Sequence, residues 1–138
     1  MALTLMEMLN SEQLNLLKGS IFTVTIPQVA TADVAKTFFI APAACEIIAA
    51  SERHVTVAGQ AGTLQIEKLS AAQAPGSGTV LLATAFDLVS TANTTVTKSS
   101  VATGAEQLAA GDALCLKVAS GAATSYALGT ITVTMKWL

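Results

Sequence analysis

From Ser20 to the C-terminus, apolar and polar residues alternate with a period of two over short runs. In "IFTVTI" the residues Phe22, Val24 and Ile26 share one face, and Thr23 and Thr25 the other. In "TITVTMKW" the residues Ile131, Val133, Met135 and Trp137 alternate with Thr130, Thr132, Thr134 and Lys136. Successive side chains of an extended strand point to opposite faces, so each run reads as a half-buried strand with a hydroxylated face. "KTFFIAP", "CEIIAASE", "RHVTVAG", "TLQIEKL", "TVLLATAF", "TTVTKSS" and "ALCLKVA" read as further strands. Turn chemistry separates them: Gly59 and Gly62, Pro75-Gly76-Ser77-Gly78, Asn93, Gly104, Gly111-Asp112 and Gly121. Only one helical segment interposes, a turn near Glu106 to Ala109. Short strands at close spacing predict an all-β fold, an antiparallel, jelly-roll-like β-sandwich. A βαβ architecture would need repeated helices, which the pattern lacks.

The first 19 residues follow a different period. Leu5, Met6, Met8, Leu9, Leu14, Leu16 and Leu17 recur at roughly helical spacing, Thr4 with Glu7 matches a capping box, and Gly19 is a natural stop. The spacing predicts a short N-terminal helical arm over 1–19 ahead of a β-sandwich domain over 20–138. An isolated helix this short is marginal in water, so it must dock. Docking on its own domain, packing on a neighbouring subunit or a larger assembly, and disorder are the alternatives.

Composition sharpens this picture. The 138 residues suffice for one domain with its own core. Charged residues make up 12% of the chain against a hydrophobic fraction of 52%, about half the usual charge of a soluble domain. Ser, Thr, Ala and Gly fill the difference, giving a surface with little colloidal repulsion that suits packing against neighbours. The most apolar window, "FFIAPAACEIIAA", contains Pro42 and Glu46 and is shorter than the roughly 20 residues of a spanning helix. With no basic N-terminal region before an apolar stretch either, neither membrane insertion nor export is expected. A net charge of −2 without a basic cluster disfavours a nucleic-acid partner.

Candidate chemistry is sparse. The single histidine, His54, shares a face with Glu52 if "SERHVTV" is a strand, so a carboxylate–imidazole pair can form there, and His54 reads as structural or surface rather than catalytic. Cys45 and Cys115 lack the local spacing of a zinc site. They read as buried thiols, with a disulfide as the alternative. The nine acidic residues form no calcium ladder. "APGSGTVLL" has no lysine and no following helix, so it is a turn between strands rather than a phosphate loop. No catalytic residue, metal or cofactor is expected. Trp137 reads as core or interface.

The segments "KLSAAQAPGSGTVLLATAFDLVSTANTTVT" and "LAAGDALCLKVASGAATSYALGTITVTMKWL" carry a resemblance. A strand ending in Glu-Lys-Leu, an Ala-Pro-Gly-x-Gly turn, a Thr-Ala-Asn turn, a Leu-Ala-Ala-Gly-Asp turn and a final Thr-Val-Thr strand follow in order. With the Cys-x-Ile-Ile strand at Cys45 to Ile48, the pattern resembles small β-rich head proteins of tailed bacteriophages, over roughly residues 44 to 138. "ALCLKVAS" after the Gly-Asp turn is less charged than that pattern leads one to expect, and the arm falls outside it.

The resemblance implies a non-enzymatic capsid decoration (cement) protein or head-fibre component. Such a protein would act as a homotrimer on the phage major capsid protein, at the outer surface of a virion assembled in the bacterial host cytoplasm. The arm residues Leu5, Met6, Leu9, Leu14, Leu16 and Leu17 are then the expected oligomer or capsid contacts. A receptor- or glycan-binding fibre or tail module using Tyr126 or Trp137 is the alternative.

Overall fold

The computed structural model describes residues 17–29, 35–58, 62–99, 101–102, 105–118 and 129–138, and every residue of the arm before Leu17 lies outside them. The alternating runs become strands. They are β1 (Ile21–Val29), β2 (Thr37–Ile40), β3 (Cys45–Arg53), β4 (Thr63–Leu69), β5 (Thr79–Val80), β6 (Phe86–Asp87), β7 (Val96–Lys98), β8 (Gln107–Leu108), β9 (Ala113–Val118) and β10 (Gly129–Trp137). Sheet A has the order β1-β10-β3-β7, with β8 also on β3. Sheet B has the order β2-β9-β4-β5, with β6 also on β4. Every pairing is antiparallel.

The short strands β7 and β8 follow one another along the same edge of β3, as β5 and β6 do along β4. Counting each couple as one position leaves eight strand positions among the described residues, and the chain passes between the sheets as it fills them. That wrapping is a jelly roll.

Strand alternation builds the core. Ile131, Val133 and Met135 of β10 face inward with no solvent exposure, as do Leu64 and Ile66 of β4 and Leu114 and Leu116 of β9. Burial of each such side chain contributes about 1.5–3 kcal/mol. In β3 the alternation breaks once. Met135 pairs with Ile47 but Thr134 with Ala49, so Ile48 is an extra residue that restores the inward phase at Ala50 and Glu52.

Three expectations need correction. Glu106 to Ala109 is no helical turn; Gln107–Leu108 form β8, because the inner edge of β3 at Cys45 and Glu46 offers a backbone partner. "RHVTVAG" is not a separate strand. β3 runs on to Arg53, and the chain after His54 lies along residues 88–93, held by bonds from Ala58 N to Leu88 O and Asn93 N to His54 O (both 2.8 Å). "TVLLATAF" is not one strand but two short ones, β5 and β6, for a reason given below.

The Pro-Gly-Ser-Gly stretch is a turn between strands. Gly76 adopts φ +92°, and Ser77 N donates to Ala74 O at 3.1 Å. Gly78 is needed for space: a Cβ there would overlap the Lys68 carbonyl oxygen and lie 2.7 Å from Leu69 Cδ2. Gly78→Ala is therefore expected to cost about 1–3 kcal/mol, the range for overpacking. Urea unfolding checks this, with Thr94→Ala on an exposed loop expected to stay within about 0.5 kcal/mol of the parent.

Candidate functional site

The two inward residues at the end of β3 meet as the spacing predicts. His54 Nδ1 lies 3.0 Å from Glu52 Oε1 and 3.2 Å from Oε2, and His54 Nε2 lies 3.0 Å from the Ser90 carbonyl oxygen. A carbonyl only accepts, so Nε2 carries a proton and donates it. One further proton must then sit between Nδ1 and the carboxylate. Burial pushes the Glu52 carboxyl up, opposed in part by the charge and hydrogen bond of His54. With His54 at 0% and Glu52 at 1% exposure, the pair has no open face for a substrate. It ties the end of β3 to the 88–93 segment.

A second buried carboxylate was not legible in the sequence. Glu67 points to the outer side of sheet B, yet its side chain is fully buried. Its Oε1 accepts from Lys117 Nζ at 2.7 Å and its Oε2 from Gly76 N at 2.8 Å. Two residues back, Gln65 Oε1 accepts from Leu82 N and its Nε2 donates to Leu82 O, both at 3.0 Å. These two side chains hold the chain from Gly76 to Leu82 over β4. Leu82 thereby takes its N–H and carbonyl bonds from a side chain rather than from the β4 backbone, with one isolated antiparallel bridge to Val101, and this irregular stretch separates β5 from β6. In the alternation of β4 Gln65 and Glu67 lie opposite the inward Leu64 and Ile66, and the segment that covers them is remote in sequence.

The turn motifs named above have comparable roles. The Asp112 carboxylate accepts from Ala109 N at 3.0 Å and lies 3.6 Å from Lys68 Nζ, closing the Leu-Ala-Ala-Gly-Asp turn, in which Gly111 takes φ +90°. Cys45 and Cys115 are free and buried, so the thiol reading holds and the disulfide does not. Burial, helped by the charge of Asp112, pushes the Cys45 thiol up to about 11; burial also raises that of Cys115. Among the described residues no three His, Cys, Asp or Glu side chains come close enough to hold a metal, and no helix is long and apolar enough to cross a membrane.

Of the expected contact residues, only Leu17 is among the described ones. It is half-buried and its carbonyl accepts from Ser20 N at 2.9 Å; Leu5, Met6, Leu9, Leu14 and Leu16 lie outside, as does Tyr126. The chain enters the sandwich at Gly19, whose φ of +80° fits the expected stop and whose N donates to Trp137 O at 2.7 Å. Here β1 and β2, the edge strands of the two sheets, come together. Phe22 stacks on Trp137 at 4.1 Å and meets Phe39 of the other sheet at 6.2 Å, and the half-buried Trp137 packs against the core. Among the described residues, the same edges carry the most exposed large apolar side chains, Ile21 at 67% and Ile40 at 65%.

The outer face of sheet A is a field of hydroxyls. Thr25, Thr132, Ser51 and Thr97 form a row across β1, β10, β3 and β7, bonded in pairs between Thr25 and Thr132 (2.9 Å) and between Ser51 and Thr97 (2.8 Å). At one end of this face Lys136 pairs with Glu46 at 2.8 Å. At the other lies a groove of about 270 Å³ lined by Ser51, Glu52, Arg53, Thr95, Thr130 and Thr132.

No protein-family model matches the chain, and no curated protein matches it. Among solved structures, a chain of "Structure of infectious bursal disease virus Gx strain" aligns with 83% of this chain and 32% of its own length, at 18% identity and a TM-score of 0.36. This chain thus spans about a third of that one. A likeness of this size establishes neither a family nor a function.

The buried pair yields a signed pH dependence. A carboxyl whose pKa is higher folded than unfolded contributes stability in full below its ordinary value of 4.5 and loses it as pH rises through the folded value. Glu52→Gln removes that loss. Chemical denaturation at pH 4, 6 and 8 is expected to show the variant gaining on the parent protein as pH rises; a gap that moves the other way would contradict the assignment.

Proposed function

We propose that this chain is a structural virion protein that binds the outer surface of a bacteriophage capsid and reinforces the shell, acting as a homotrimer without catalytic activity. The observation that carries this reading is the side of the jelly roll that, among the described residues, is left open. Two sheets end there in adjacent edge strands, each presenting an isoleucine about two-thirds exposed. Unpaired strand edges with apolar side chains are a liability for a solitary protein and a resource for one that assembles. The sparse charge of the chain supports the same reading, since close packing of copies then meets little repulsion. The bacteriophage-like order of turns over residues 44 to 138 supplies the kind of assembly.

In this role the two-period architecture has a division of labour. The sandwich is the rigid body, and the Leu/Met-rich stretch over 1–19 clips it to a neighbour or to the shell. Binding confined to the assembled shell stabilises that shell by mass action, and three linked copies gain avidity from individually weak contacts.

Co-sedimentation with undecorated, expanded shells of the encoding phage tests the proposal. Saturable binding in multiples of three copies per symmetry-related site is expected. Deleting residues 1–16 is expected to leave the β circular-dichroism signature intact while weakening shell binding by tenfold or more, as the loss of even one or two buried leucines would, by about 1.5–3 kcal/mol each. Unchanged affinity of the truncated protein would remove the arm from the mechanism, and absence of binding by the full chain would end the proposal.

A further inference from the structure

Glu52, Arg53 and His54 alternate across the end of β3. Glu52 and His54 point inward, and their mutual bond and the bond to Ser90 O lock the backbone between them. Arg53 therefore leaves the outer face of sheet A from a point held on both sides. Thr130 stands directly opposite it on β10, and Thr95 immediately precedes β7 on the other flank. Two residues back along the same face, Ser51 lies between Thr132 and Thr97. Together these residues make the groove of about 270 Å³ a concavity with a hydroxyl-lined floor and one cation at its rim.

That cation is uncommitted. Among the described residues the Arg53 side chain makes no hydrogen bond, ion pair or ring contact, whereas those of Lys68, Lys98, Lys117 and Lys136 are all engaged. Its neighbouring carboxylate, Glu52, is spent inside on His54. An exposed guanidinium is ordinarily just solvated, but this one is rooted in a pinned strand and borders a cleft rich in hydroxyls. The hydroxyls keep spare capacity as well: each has one donor and two acceptor sites, and the bonds of Thr132 to Thr25 and of Ser51 to Thr97 use one site apiece.

We propose that this groove binds a carboxylated sugar residue, a uronate or sialate, whose carboxylate pairs with Arg53 and whose ring hydroxyls meet Ser51, Thr95, Thr130 and Thr132. The planar guanidinium fork matches a carboxylate with two parallel bonds. Hydroxyls that both donate and accept suit the same groups on a sugar. The volume lies just under the roughly 300–1,000 Å³ of small-molecule sites, which fits a single ring. Along β10, Thr130 is six residues from Lys136, which pairs with Ile21 at the open edge. At about 3.3 Å per residue that is roughly 20 Å, so a partner seated on the edge leaves the groove free. The inference stands independently of the virion role.

Titrating the full-length, ¹⁵N-labelled protein with the methyl glycosides of glucuronic acid and of N-acetylneuraminic acid tests it, with methyl β-D-glucoside and inorganic phosphate as comparisons. Saturable shifts at residues 51–54, 95–97 and 130–132 are expected for at least one acidic glycoside, with the glucoside at least tenfold weaker. Arg53→Ala is expected to weaken binding tenfold or more, Arg53→Lys to recover part of it, and Thr132→Val to weaken it severalfold. Failure of both acidic glycosides, phosphate binding as tightly as they do, or unchanged affinity in folded Arg53→Ala or Thr132→Val would each overturn the proposal.

Discussion

Sheet A cannot form until the last strand of the chain arrives in its middle. β10 bonds to β1 on one side and to β3 on the other, bringing residues more than a hundred positions apart into register, Ile21 with Lys136 and Ile26 with Ile131. The strict alternation of β10 then decides what each side of the sheet becomes. Ile131, Val133 and Met135 complete the core, and Thr130, Thr132 and Thr134 supply the central hydroxyls of the outer face. A slip of one residue would exchange those faces, so the core specifies the register and the register places the groove. Pairing over such sequence separations is also slow to form, because the loop entropy must be met before the contacts reward it.

Around this frame, buried polar side chains do the work that regular strands do elsewhere. Gln65 replaces a strand partner for Leu82, Glu67 holds Gly76 and Lys117, Asp112 closes its turn, and Glu52 with His54 anchors the 88–93 segment. Each polar group withdrawn from water must find its bonds inside, and these do. The consequence is a sandwich whose irregular connections are tied down at specific atoms.

The strand pattern, the sandwich class and the glycine turns were legible in the chain because they follow from local rules: a period of two, positive φ at Gly76 and Gly111, and inward phase at Phe22, Val24 and Ile26. The Glu52–His54 pair was legible for the same reason, being two residues apart on one strand. What was not legible depends on remote neighbours. Gln65 and Glu67 look like solvent positions until the segment from Gly76 to Leu82 folds over them. The brevity of β5 and β6, the strand at Gln107–Leu108 and the isolation of Arg53 likewise emerge only once the sheets are assembled.

The proposed role joins these features: a rigid jelly roll, two edge strands with exposed isoleucines, sparse charge and a Leu/Met-rich stretch that enters the sandwich at Leu17 beside them. Its central claim is that occupancy strengthens the shell, and the most direct test is the melting temperature of expanded shells at rising concentrations of the protein. The account predicts a melting temperature that climbs with bound copies and levels off at saturation. Shells that bind the protein to saturation yet melt at the temperature of bare shells would contradict it.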